Sequence, residues 1–195
     1  MLSRASLLVS TDLLEKDAIE KFKFGARIVN IPNGVDFSRF DELPTRGVMR
    51  QRLGIPSECA LILVLGRLHS VKRPDLALEA YCLIAEKYPL AHLVFAGPDE
   101  VGLSSSLTAR AGQAGIEGRL HFTGLLQPPQ VLQMLIDADI FLNTSESENF
   151  GMAIVEAMAA GLPVIVSNKI GLARVVQESA GGLACDLNAP GIAHS

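Results

Sequence analysis

What most constrains this chain is an alternation: short apolar runs rich in Leu, Val and Ile recur between longer amphipathic stretches. Strands of a parallel sheet covered on both faces read as continuous apolar runs, because no alternate position faces water, and the crossovers that join them are helices. The pattern predicts strands at residues 60–65, 92–96, 119–123, 139–143, 163–167 and 182–186, and helices at 74–88, 104–114, 129–136, 151–160 and 171–178. The clearest helix opens with Pro74 in its first turn and repeats apolar Ala77, Tyr81, Ile84 and Tyr88 at helical spacing. The expected fold class is α/β, a doubly wound Rossmann-like parallel sheet with helices on both faces.

The first forty residues read differently. A strand-like stretch at 6–10, a helix-like one at 11–23 and a strand-like one at 27–31 lead into IPNGVD, a turn-rich linker. The expected division is 1–40 as the tail of a preceding unit plus linker, and 41–195 as the Rossmann-like domain.

Composition narrows the possible partners. At 195 residues, 49% hydrophobic and 19% charged, the chain can bury one core. A net charge of -4 supplies no basic field for a nucleic-acid polymer. Cys59, Cys82 and Cys185 show no zinc-site or CxxC spacing and fit a reducing compartment, so a cytoplasmic location is expected, with peripheral contact at the membrane surface left open. The opening MLSRASLLVSTDLL holds an apolar patch too short for a secretory core and interrupted by Asp12. The longest apolar stretch, 157–166, is broken by Gly161 and Pro163 and spans no bilayer.

The chemistry-bearing residues gather where strands end. Gly66 with Arg67, Gly97 with Pro98, Gly124, Thr144 with Ser145, and Ser167 with Asn168 all follow predicted strands, at the edge where an open doubly wound sheet binds ligands. In SESENFGMAIVEAMAAGLPVIVS a strand passes through a polar loop into a helix opening near Gly151, stopped by Gly161 and Pro163. The amides of Asn149, Phe150 and Gly151 are expected at a positive helix terminus that favours phosphate. Seven residues separate Glu148 in the loop from Glu156 inside the helix, and two acceptors at different depths suit a polyhydroxylated ligand. An isolated glutamate is usually solvated, but Glu156 is flanked by Ile154, Val155, Ala157 and Met158.

A second stretch, GRLHSVKRPDLALEA, places Arg67 and Lys72 after a strand end, where a planar fork and a point charge could hold a diphosphate. Loop cations taken singly are commonly just solvated. His69 in that loop has both readings, while His92 and His121 begin strands and read as structural. Asp137 and Asp139 mimic a metal-binding pair, yet they precede the apolar run 140–142 and belong at a strand's amino end, so no metal site is expected.

These two stretches, with IPNGVD, resemble the retaining family 4 glycosyltransferases, whose GT-B fold pairs two Rossmann-like domains across a cleft. The resemblance runs from about residue 6 to residue 186. It implies transfer of a sugar from a nucleotide diphosphate donor with retained anomeric configuration and no further cofactor. It implies that Glu156 binds the ribose, Glu148 the sugar hydroxyls, and Arg67 with Lys72 the diphosphate. Arg67, Lys72 and Glu148 would then serve catalysis. Asn149, Phe150 and Gly151 would complete the phosphate cradle, Gly66 and Gly97 would lie at the donor edge, and Gly124 with Leu125 would lie against the base. A full enzyme of that family carries an earlier, acceptor-binding domain and closing helices, expected here to be missing before residue 6 and after Pro190. The chain alone is therefore expected to be inactive and to expose surface favouring self-association. The competing expectation is a non-catalytic nucleotide-binding or interaction module of the same fold.

Overall fold

The computed structural model describes residues 5–195; the start of the opening apolar patch, residues 1–4, lies outside the described residues. The chain opens with β1 (Leu7–Ser10), α1 (Leu13–Glu20) and β2 (Arg27–Asn30), the two strands forming a parallel pair of their own. After a 3-10 turn at Ser38–Phe40 and α2 (Val48–Leu53), the main unit runs β3 (Ala60–Leu65), α3 (Pro74–Ile84), β4 (Ala91–Ala96), α4 (Leu103–Gln113) and β5 (Leu120–Phe122). It continues with α5 (Pro128–Asp137), β6 (Ile140–Asn143), α6 (Met152–Ala159), β7 (Val164–Ser167), α7 (Ala173–Glu178), β8 (Gly182–Cys185) and α8 (Ala189–His194).

The six strands of the main sheet are all parallel, in the order β5-β4-β3-β6-β7-β8. The chain winds outward from β3 through β4 to β5, then returns to the other side of β3 as β6. That reversal makes the β3/β6 junction the topological switch point, where the carboxyl ends leave a crevice. The apolar runs are continuous because both faces are covered. Leu61, Leu63, Phe141 and Val164 pack with Met134, Leu135, Ile154 and Val176 on one side. Leu93, Phe95 and Leu142 pack with Leu78, Tyr81, Leu107 and Ile192 on the other. Among the described residues no helix is long and apolar enough to cross a membrane.

The amino edge is closed by charge. Asp137, fully buried, accepts hydrogen bonds from the amides of Gly47 (2.5 Å), Met49 (2.6 Å) and Arg50 (3.1 Å), capping α2. The buried Arg50 guanidinium donates to the carbonyls of Asp137 (2.7 Å) and Cys59 (2.7 Å) and to Asp139 Oδ2 (2.6 Å). Asp139 also accepts from the Leu61 amide at 2.8 Å and pairs with Arg46. Burial pushes the Asp139 carboxyl up, but the Leu61 amide and the two guanidiniums outweigh it and hold the group below its ordinary value. The two aspartates thus staple α2 to the starts of β3 and β6.

At the carboxyl edge the turns after β3 and β4 touch. Gly97 has φ +148°, and a Cβ there would overlap the Gly66 carbonyl oxygen. The Gly97 amide donates to the Gly124 carbonyl (3.0 Å), and the Leu68 amide to that of Pro98 (2.9 Å). Three successive strand ends are thereby bound into one wall. The helices α2 and α8 are not among those expected, and α3 ends at Ile84 where a helix over 74–88 is expected. Asn188 starts α8 by accepting from the Gly191 amide at 2.8 Å.

Candidate functional site

A cleft of about 540 Å³ opens at the switch point. The turn after β3 lines it with Gly66, Arg67, His69 and Lys72, the end of β6 with Asn143, and the loop into α6 with Ser147, Glu148, Asn149, Phe150 and Gly151. Seven of the sequence-predicted residues, Gly66, Arg67, Lys72, Glu148, Asn149, Phe150 and Gly151, are brought together here. Asn33, from the IPNGVD linker, joins them.

The two loops are tied to each other before any ligand arrives. Thr144 Oγ1 donates to the carbonyls of Lys72 (2.8 Å) and Arg73 (3.0 Å), and the Glu146 amide donates to the Val71 carbonyl (2.9 Å). Arg73 bridges Asp75 and Glu146, both at 2.8 Å. These bonds fix where Lys72 stands relative to Glu148.

Lys72 Nζ donates to Glu148 Oε1 at 2.5 Å, so the cation and the carboxylate expected at separate points of a donor are paired with each other. Asn143 Nδ2 (3.0 Å) and Ser145 Oγ (2.8 Å) donate to the same oxygen. Burial pushes the Glu148 carboxyl up, but the bonds from Lys72, Asn143 and Ser145 win, and it sits below its ordinary value. Glu148 is therefore held ionised, suited to accept hydrogen bonds or stabilise positive charge and unsuited to donate a proton near neutrality.

Helix α6 begins one residue later than expected. Gly151 is its N-cap, with φ +81°, and a Cβ there would meet Ile154 Cδ1 at 2.9 Å. The amides with no acceptor within the helix are then those of its first turn, Met152 and Ala153, both of which line the cleft. Asn149 and Phe150 precede the cap.

Four sequence-predicted residues lie off this cleft. Gly97 and Gly124 belong to the wall behind Gly66, and Leu125 is 67% exposed beyond it. Glu156 projects from α6 to pair with Arg39 in the linker. Arg67 itself is 61% exposed and leans toward Glu100 at 3.7 Å, leaving its guanidinium nearly free. His69 uses Nδ1 to accept from the Val71 amide at 3.3 Å. Asn143 and Ser145 stood in the sequence only as strand-end polar residues; their burial, 7% and 1% exposed, is the signal that separates them from solvated loop groups. Among the described residues no group of three metal-ligating side chains converges. A second cavity, about 620 Å³, lies under α3 and α8 against the sheet and is lined mainly by apolar side chains such as Ile62, Tyr81 and Leu142.

The model of a known family, "Glycosyl transferases group 1", matches residues 45–191. The chain belongs to the group 1 glycosyl transferases. It is 34% identical over 180 residues to mannosylfructose-phosphate synthase of Agrobacterium fabrum, covering 88% of this chain and 38% of that protein. It is 31% identical over 188 residues to D-inositol 3-phosphate glycosyltransferase of Corynebacterium urealyticum, covering 92% and 44%. The chain thus spans well under half the length of these two relatives. In fold, the chain is similar to Anabaena HepE, solved in complex with UDP and glucose, with a TM-score of 0.84 at 22% identity over 97% of this chain and 52% of that one. It is similar also to WaaG, a glycosyltransferase involved in lipopolysaccharide biosynthesis (TM-score 0.82, 22% identity, 96% and 51% covered). The fold is one Rossmann-like half of a GT-B architecture.

Proposed function

We propose that this chain is the donor-binding domain of an enzyme that transfers a sugar from a nucleotide diphosphate sugar with retention of configuration, together with an acceptor-binding domain that precedes it. One observation carries this reading: the Gly66–Lys72 turn, the start of α6 and the ionised Glu148 meet in a single cleft at the switch point. An ammonium has three donors, so Lys72 can keep Glu148 and still reach a phosphate oxygen. Arg67, exposed and barely engaged, can swing to the diphosphate, and the first-turn amides of α6 complete the cradle. The same groups would stabilise the charge that develops as the diphosphate departs, which is this domain's part in catalysis. Glu156 would reach the ribose once its pair with Arg39 opens, and Gly124 and Leu125 would flank the base. No metal is needed in this reading, since Arg67, Lys72 and the helix terminus meet the phosphate charge.

Calorimetry with UDP against UMP, and GDP against GMP, tests it. The diphosphate should bind more tightly than its monophosphate in at least one pair, chelator should change nothing, and Arg67→Ala or Lys72→Ala should each weaken the diphosphate by about ten-fold or more, as expected for charged hydrogen bonds. Equal affinity for mono- and diphosphate in a well-folded sample would leave an interaction module as the better reading.

A further inference from the structure

The Glu148 carboxylate is bonded unevenly. Lys72 Nζ, Asn143 Nδ2 and Ser145 Oγ all donate to Oε1, at 2.5, 3.0 and 2.8 Å. Among the described residues Oε2 receives no hydrogen bond, although Glu148 lines the cleft. A carboxylate oxygen has about two lone-pair directions, so Oε1 is saturated and Oε2 is the acceptor left over.

The arrangement is built into the end of β6. Residues two apart on extended chain point the same way. Asn143 and Ser145 accordingly both face Glu148, while Thr144 between them turns to the carbonyls of Lys72 and Arg73. Asn143 Oδ1 also accepts from the Ser145 amide at 3.2 Å, so the two positions brace each other. Both are nine-tenths buried or more; Asn143 also lines the cleft, while Ser145 does not.

We propose that Asn143 and Ser145 are positioning residues which, with Lys72, immobilise Oε1 of Glu148 and present Oε2 alone to the donor, so that recognition of the sugar turns on one free hydroxyl. A hydroxyl can donate to Oε2; a deoxy carbon or an ether at the same place cannot, and leaves the carboxylate desolvated without a partner. This rests on the donor-binding reading above.

The test compares UDP-glucose with UDP, and GDP-mannose with GDP, by calorimetry on the full chain; the ratio of the two affinities in a pair is the gain contributed by the sugar. The parent chain should show such a gain in one pair. Ser145→Ala should reduce it on the order of ten-fold while leaving nucleoside diphosphate affinity unchanged. Asn143→Asp, which keeps the acceptor for the Ser145 amide but replaces the donor to Oε1, should reduce it as much. In a Glu148→Gln background neither change should cost more, an outcome a purely structural role would not produce. Analogues of the bound nucleotide sugar lacking single hydroxyls supply a readout on the parent chain, should a variant fail to fold: one position should lose the gain, and Glu148→Gln should abolish that preference. An unchanged gain in folded Ser145→Ala and Asn143→Asp, or equal losses with and without Glu148, overturns the inference. So does a parent that binds diphosphate and nucleotide sugar equally, although the donor-binding reading then stands. A parent that binds neither removes both.

Discussion

The two edges of the sheet use the same materials to opposite ends. At the amino edge, Asp137 and Asp139 meet guanidiniums and backbone amides; at the carboxyl edge, Glu148 meets an ammonium, an amide and a hydroxyl. Asp137 has donors on both oxygens, from Gly47 and Gln133 on Oδ1 and from Met49 and Arg50 on Oδ2. Glu148 has three donors on one oxygen and, among the described residues, none on the other. A carboxylate whose every lone pair is met by its own chain is a fastening. One met on a single side retains capacity for something else.

The largest expected effect breaks the fastening. Asp137→Ala orphans the amides of Gly47, Met49 and Arg50 in the interior and should cost about 3–4 kcal/mol of stability, read from urea denaturation. UDP affinity of the folded fraction should not move. If instead binding fell and stability held, the two edges would have been assigned the wrong way round.

Glu148→Gln should do the reverse, sparing stability to within about 1 kcal/mol while reducing the contribution of the sugar to binding by about ten-fold. Acidity sharpens the contrast. Because the folded Glu148 carboxyl lies below its ordinary value of 4.5, the contribution of its charge is complete above that value and is lost only as pH falls through the lower, folded value. The sugar gain should therefore persist at about pH 4.5, where an ordinary glutamate is half protonated; its disappearance by about pH 5 would contradict the bonding at Oε1.

A smaller effect belongs to the amino edge again. His92 and His121 stack there with Nδ1 and Nε2 2.9 Å apart. Burial pushes both imidazoles below their ordinary value of 6.5, with Arg119 and Arg50 adding to it for His92, and His92 adding to it for His121. The unfolded chain takes up protons first as pH falls, so the stability present above about 6.5 declines below it. The urea midpoint should drop between about pH 7 and pH 5, and His121→Gln should flatten that slope. An unaltered slope would mean that other groups govern it.

The strands were legible because parallel strands buried on both faces leave an unbroken apolar signature, and their ends moved by only a residue or two. Residues 119–123, for instance, shorten to Leu120–Phe122, the strand starting later because Glu117–Arg119 coil into a 3-10 turn. The gathering of residues in the cleft was legible because strand direction tells which end of each apolar run lies at the shared edge of the sheet. What stayed hidden depends on partners distant in sequence. Helix α2 carries arginines and ends at Gly54; its cap comes from Asp137, about ninety positions on. The pairing of Glu156 with Arg39, and the convergence of Lys72, Asn143 and Ser145 on one oxygen, follow from how loops meet in space, which no spacing along the chain encodes.

The turn that opens α1 lies against the turn that opens α6. Thr11 Oγ1 donates to the Asn149 carbonyl at 3.2 Å, and Asp12, which caps α1, presses so closely on Gly171 that no side chain fits there. Thr11 thus rests on Asn149, which lines the cleft, and Asp12 on Gly171 in the turn between β7 and α7. The start of α1 is thereby joined to the loop before α6 through one backbone carbonyl. Binding that stiffens the Asn149 loop is then expected to slow amide exchange at the start of α1, which hydrogen exchange with and without nucleotide would show.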